Sequence, residues 1–206
     1  MIIKEACVES VREAISAANL GAQQLELCVR LDLDGNSPPL DLIEKVLSAV
    51  SIPVKVIVNP FPYHYQYTRT EKEEIVDYIN KLKSASIAGL VLGPMTRDYL
   101  PDIDFLKQIR QLTSLPITFH KAIDQGDIPK SIDMLKEVQV VDYILSSGGA
   151  PSAQEGKATL LQMKAQLSDS NISLIAAGKI TEENLDNLHA SLQLDYYHGR
   201  KIVGTL

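Results

Sequence analysis

The chain has 206 residues, with 20 Lys and Arg against 26 Asp and Glu for a net charge of −6, and 45% of its residues are hydrophobic. Such a length and composition describe one soluble globular domain able to bury a full core. The acidic balance, with no basic stripe, argues against a nucleic-acid partner, and no apolar run is long enough to span a bilayer. The first residues lack the basic start and long apolar core of a signal peptide, so the expected compartment is the reducing cytoplasm, with Cys7 and Cys28 as free thiols.

Short apolar runs alternate with segments of helical period from one end of the chain to the other. Strands are predicted near residues 2–7, 24–28, 54–59, 89–93, 117–120, 143–146, 173–176 and 194–198. Helices are predicted near 10–19, 40–49, 70–84, 102–112, 129–137, 152–167 and 182–191. Thr70-Glu71-Lys72-Glu73 reads as a capping box, and Thr181-Glu182-Glu183-Asn184 as an N-cap with an acidic first turn. Pro129 and Pro151 stand where helices are about to begin.

This is the rhythm of parallel βα units. Eight strands in series, without a glycine-rich dinucleotide turn after the first, favour a closed (β/α)8 TIM barrel over an open doubly wound sheet. The chain is short for that fold, and too few residues follow His198 for a normal eighth helix. The expectation is a compact barrel, residues 1–206 as a single domain, with its last outer helix missing or vestigial.

Chemistry in such barrels sits at the C-terminal ends of the strands. Strand one ends Glu5-Ala6-Cys7 and strand two ends Glu26-Leu27-Cys28, the same Glu-x-Cys pattern twice. Alternation puts each Glu on one face with its Cys. For strand two, Leu25 and Leu27 supply the helix-packing face, so Glu26 and Cys28 point into the mouth; the parity of strand one is ambiguous. Strand five ends in His120, with Asp124 just after, and strand eight in Tyr197-His198. Two thiols, two carboxylates and two imidazoles are thus expected at one concave end.

The segments Lys4-Glu5-Ala6-Cys7 with Glu9-Ser10, Leu25-Glu26-Leu27-Cys28, Ile117-Thr118-Phe119-His120-Lys121-Ala122-Ile123-Asp124, Leu145-Ser146-Ser147-Gly148-Gly149 and His198-Gly199-Arg200-Lys201-Ile202-Val203 resemble the copper homeostasis protein CutC family. The resemblance runs over essentially the whole chain. It implies a (β/α)8 barrel, a cytoplasmic protein, a contested role in handling Cu(I), and a homo-oligomer, a dimer in bacterial members. The sequence also departs from the family. An Arg-Pro-Arg-Gly-Gly loop usual after strand three is here Asn59-Pro60-Phe61-Pro62-Tyr63, and the glycine-rich loop after strand seven is reduced to Ala176-Ala177-Gly178-Lys179. With both arginines gone, a decayed site on an intact scaffold is a third reading beside the two below.

Cu(I) is soft and accepts low coordination numbers, so Cys7 and Cys28 on neighbouring strands are the candidate metal ligands. Linear binding would set the sulfurs about 4.6 Å apart, taking the zinc–sulfur length as guide. Against this stands simple burial of two free cysteines. The alternative is a barrel enzyme acting on a small sugar-like or phosphorylated substrate. In that reading Glu5 and Glu26 form an acid–base pair, His120 and His198 move protons, and Asp124 orients His120. Gly148, Gly149, Gly178 and Lys179 form a candidate anion site, and Lys179 or Lys55 can stand in for the lost arginines. Tyr63, His64, Tyr65 and Tyr67 make an aromatic loop over the mouth. His189 is expected at the surface. The expected ligand is a copper ion or a small molecule, and no organic cofactor is expected.

Overall fold

The computed structural model describes residues 2–33, 35–61 and 64–206. Eight parallel strands close into a barrel in sequence order: β1 (Ile3–Val8), β2 (Gln24–Leu27), β3 (Val54–Ile57), β4 (Gly89–Leu92), β5 (Ile117–Phe119), β6 (Tyr143–Ser146), β7 (Ser173–Ala176) and β8 (Tyr196–Gly199). Seven α-helices are found among the described residues, α1 (Val11–Asn19), α2 (Leu40–Ala49), α3 (Arg69–Leu82), α4 (Ile103–Leu112), α5 (Ile128–Val138), α6 (Lys157–Leu167) and α7 (Glu182–Leu192). Each links consecutive strands, the arrangement of a TIM barrel. No helix follows β8; residues 200–206 form turns whose Ile202 and Val203 are buried against the outer core. No helix among the described residues is long and apolar enough to cross a membrane.

Alternation along the strands divides the core in two. Ala6, Val8, Leu25, Leu27, Val54, Val56, Leu90 and Leu92 face outward into the main core beneath the helices. Residues of the opposite parity face the barrel axis, where Cys7, Cys28, Ile57 and Val91 form one small apolar cluster and Leu145, Ile175 and Ala177 another. This resolves the first strand: Ala6 and Val8 lie under the helices, so Glu5 and Cys7 point inward.

Helix starts are fixed by local hydrogen bonds, and two differ from the sequence reading. The capping box of α3 is Thr68 with Glu71, two residues earlier than expected: Thr68 Oγ1 accepts from the Glu71 N–H at 3.3 Å and the Thr68 N–H donates to Glu71 Oε2 at 2.7 Å. Helix α6 starts at Lys157 rather than near Ser152. The Ser152 hydroxyl instead accepts from the Glu155 N–H at 3.2 Å, closing a separate turn before Gly156. Pro129 lies in the first turn of α5, whose N-cap Asp127 accepts from the Lys130 N–H.

Candidate metal centre at the barrel mouth

The ladder between β1 and β2 pairs Cys7 with Glu26, and that between β1 and β8 pairs Glu5 with His198. These registers bring the four inward side chains together. Cys7 Sγ lies 3.4 Å from Cys28 Sγ and 3.6 Å from Glu26 Oε1. Cys28 Sγ also sits 3.6 Å from the Val8 carbonyl oxygen. His198 donates from Nδ1 to Glu5 Oε1 at 2.9 Å and turns Nε2 toward Glu26 Oε1, 3.9 Å away. One donor atom each from Cys7, Glu26 and His198 lies within 4.8 Å of the others.

Lys55 completes the cluster. It is 2% exposed, and its ammonium lies 3.0 Å from Glu5 Oε2, 3.2 Å from Thr118 Oγ1 and 4.2 Å from the centre of the Tyr143 ring. Its register partner on β4 is Gly89, where a Cβ would fall 2.8 Å from the Pro116 carbonyl oxygen, so the β4–β5 backbone approach, rather than the lysine, requires the glycine. Lys55 is therefore a structural counter-ion inside the barrel rather than a stand-in for a missing surface arginine. The alternation Val54-Lys55-Val56 carried that signal, because two outward valines require an inward lysine.

The charges follow from these contacts. Burial alone would raise the Glu5 carboxyl, but Lys55 and His198 overcome it and hold the group near a pKa of about 2. Burial likewise raises Glu26, aided by the Glu5 charge and opposed by His198. For His198, burial favours the neutral ring, yet Glu26, Cys7 and Glu5 together push its pKa well above the usual value. The Cys7 thiol is raised by its contact with Cys28 and by burial.

A cavity of about 360 Å³ opens at this end, lined among others by Cys7, Glu26, His198, His120, Tyr65 and Leu145. Glu5 and Cys28 do not line it; both are fully buried. Glu5 is also tied to the Gln24 amide, to Lys55 and to His198. An acid–base pair of Glu5 with Glu26 is therefore corrected to one cavity-lining carboxylate, Glu26, and one wholly enclosed anchor, Glu5.

His120 stands on the opposite wall, 6% exposed, with its Nδ1 accepting the Ala122 N–H at 3.2 Å. Burial drives its pKa down to about 4, with Lys121 adding to the effect. Asp124 does not orient it. That carboxylate accepts from the Ser146 hydroxyl, from the Ser147 N–H and hydroxyl, and from the Gly149 N–H.

The expected anion site does not assemble. The Gly148 N–H donates to Ser146 Oγ at 2.8 Å and the Gly149 N–H to Asp124 Oδ1 at 3.1 Å, which uses both donors internally. Gly178, at φ +100°, packs against Ser147 and Ala153, and Lys179 is exposed outside the cavity lining. Of the aromatic loop, Tyr63 lies outside the described residues; Tyr65 meets the His120 ring edge-on at 4.7 Å, and Tyr67 donates to Asn59 Oδ1 at 3.0 Å. His64 is 3.3 Å from Glu71 Oε1. His189 is half-buried rather than surface, hydrogen-bonded to the Tyr197 hydroxyl at 3.0 Å.

Fold and site together define a parallel (β/α)8 barrel with a largely buried thiol, carboxylate and imidazole cluster at the C-terminal end of its strands. The CutC family model matches residues 2–203, and the chain belongs to that family. It is 30% identical to the CutC family protein of Enterococcus faecalis (strain ATCC 700802 / V583), covering 98% of this chain and all of the relative. It is also 30% identical to the human copper homeostasis protein cutC homolog, over 90% of this chain and 68% of the relative. A crystal structure of a copper homeostasis protein CutC from Streptococcus agalactiae superposes with a TM-score of 0.91 at 24% identity, covering 98% of this chain and 100% of that one, and so supports the fold.

Proposed function

We propose that the protein takes part in copper homeostasis by binding one Cu(I) ion between Cys7 and Cys28 at the barrel mouth. The observation that carries this reading is the 3.4 Å approach of two buried sulfurs on adjacent strands, one of which lines an open cavity. Soft thiolates select Cu(I) over the harder divalent ions. The sulfurs stand closer than the roughly 4.6 Å that a linear S–Cu–S unit needs, taking about 2.3 Å per bond. Either the thiols separate on binding, or the ion would sit bent toward a third donor, Glu26 or, once the ion displaces the proton that the surrounding carboxylates keep on the ring, His198 Nε2. The contact of His198 Nδ1 with Glu5 is the outer hydrogen bond that fixes the orientation of a metal-ligating imidazole.

A second reading rests on the cluster of Cys7, Glu26 and His198 alone. One sulfur, one oxygen and one nitrogen with an open position suit a borderline divalent ion such as zinc. The two readings part at Cys28. Anaerobic titration against a Cu(I) chelator should show one ion bound by the parent and lost in both Cys7→Ser and Cys28→Ser. Retention of the parent's affinity by Cys28→Ser, with loss in Cys7→Ser, transfers the site to the mixed cluster; retention in both removes it. The reading takes the protein as a single domain that works as a homodimer in the reducing cytoplasm, where the thiols stay free.

A further inference from the structure

The β5 wall of the cavity carries chemistry that metal binding does not use. His120 Nδ1 accepts a backbone N–H, so the neutral ring holds its proton on Nε2. That Nε2 is buried and has no hydrogen-bond partner among the described residues. Its seat is built: a Cβ on Gly93 would fall 2.3 Å from His120 Nδ1, so only glycine there lets the ring lie where it does. The adjacent Lys121 also lines the cavity, is exposed, and has no ion-pair partner among the described residues. Its ammonium lies near enough to the imidazole to disfavour a second positive charge there.

We propose that this wall binds the carboxylate group of a small organic acid, held between the His120 Nε2–H and the Lys121 ammonium, with its hydrocarbon part against Ile57, Leu145 and Tyr65. Two donors match the two oxygens of a carboxylate. A phosphate would ask for more, and the backbone N–H groups of Gly148 and Gly149, the obvious further donors, are already given to Ser146 and Asp124. The cavity, at about 360 Å³, lies within the usual range for small-molecule sites. A lone copper ion needs no such space. The site does not depend on the metal reading.

The test uses the full chain freed of metal by a chelator, with butyrate, acetate and inorganic phosphate as probes, followed by calorimetry and by the nitrogen-15 and proton shifts of the His120 side chain. Saturable butyrate binding should move the Nε2–H signal downfield. His120→Phe keeps a ring and removes the donor, and should weaken butyrate roughly tenfold or more. Lys121→Met should weaken it several-fold. No saturable binding of either carboxylate at millimolar concentration, phosphate binding more tightly than butyrate, or equal affinity in parent and His120→Phe would overturn the proposal. Should His120→Phe not fold, Lys121→Met at the exposed rim decides alone, and unchanged affinity there overturns it.

Discussion

Lys55 and Glu5 show how a single pair of residues can govern the site without touching a ligand. Both are buried, and each satisfies the other at 3.0 Å. Breaking one side of such a pair leaves an uncompensated charge in the barrel and typically costs about 3–5 kcal/mol. Lys55→Met is expected to lose stability of that order in urea unfolding, and Glu5→Gln to do the same while freeing the His198 ring. His120 makes the opposite kind of statement, because it is buried neutral. Its pKa falls from the ordinary 6.5 to about 4 on folding, so below pH 6.5 the unfolded chain binds the proton that the folded one refuses. Stability from this group is complete above 6.5 and is lost as the pH drops toward 4, by on the order of 1–3 kcal/mol. Comparing unfolding at pH 7 and pH 4.5 should show a steeper acid loss in the parent than in His120→Phe; parallel losses would mean that His120 is not the neutral buried group described.

At the scale of elements, the strand ends were the legible part of the sequence. The period-two pattern placed Glu26 and Cys28 inside because Leu25 and Leu27 needed the helix face, and the structure extends the same parity to Glu5 and Cys7. The loops were less legible, because a loop residue's partners come from distant segments that no local pattern reveals. Asp124 was expected to serve His120 four residues away, whereas it organises the β6 turn at Ser146, Ser147 and Gly149, more than twenty residues on. The Gly148-Gly149 pair resembles an anion loop by composition, but its donors are consumed within the turn, the Gly148 N–H by Ser146 Oγ and the Gly149 N–H by Asp124. Gly93, unremarked in the sequence reading, acts through the element that follows it. Gly93→Ala would drive a methyl into the His120 ring and is expected to cost about 1–3 kcal/mol by overpacking, read as a lowered Tm together with a shifted His120 ring signal. An unchanged ring signal would show that the wall is less tightly built.

For the molecule as a whole, the alternation of eight apolar runs with seven helical segments was enough to predict a closed barrel short of its last helix, and residues 200–206 pack as turns in that helix's place. What composition and periodicity leave unsaid is how the barrel's stagger aligns side chains from strands distant in sequence. The Glu5–His198 contact depends on the closure of β8 onto β1, which joins residues 193 apart in the chain. Closure therefore sets one polar layer at the mouth, with thiols and Glu26 on the β1–β2 side and His120 with Lys121 on the β5 side. In the function proposed above, the paired thiols of Cys7 and Cys28 are where copper binds. Copper K-edge X-ray absorption of the protein loaded anaerobically with one equivalent of Cu(I) tests it most directly. A two-thiolate site gives at least two sulfur scatterers near 2.3 Å, taking the zinc–sulfur distance as the guide; a shell of nitrogen and oxygen with one sulfur or none would rule it out.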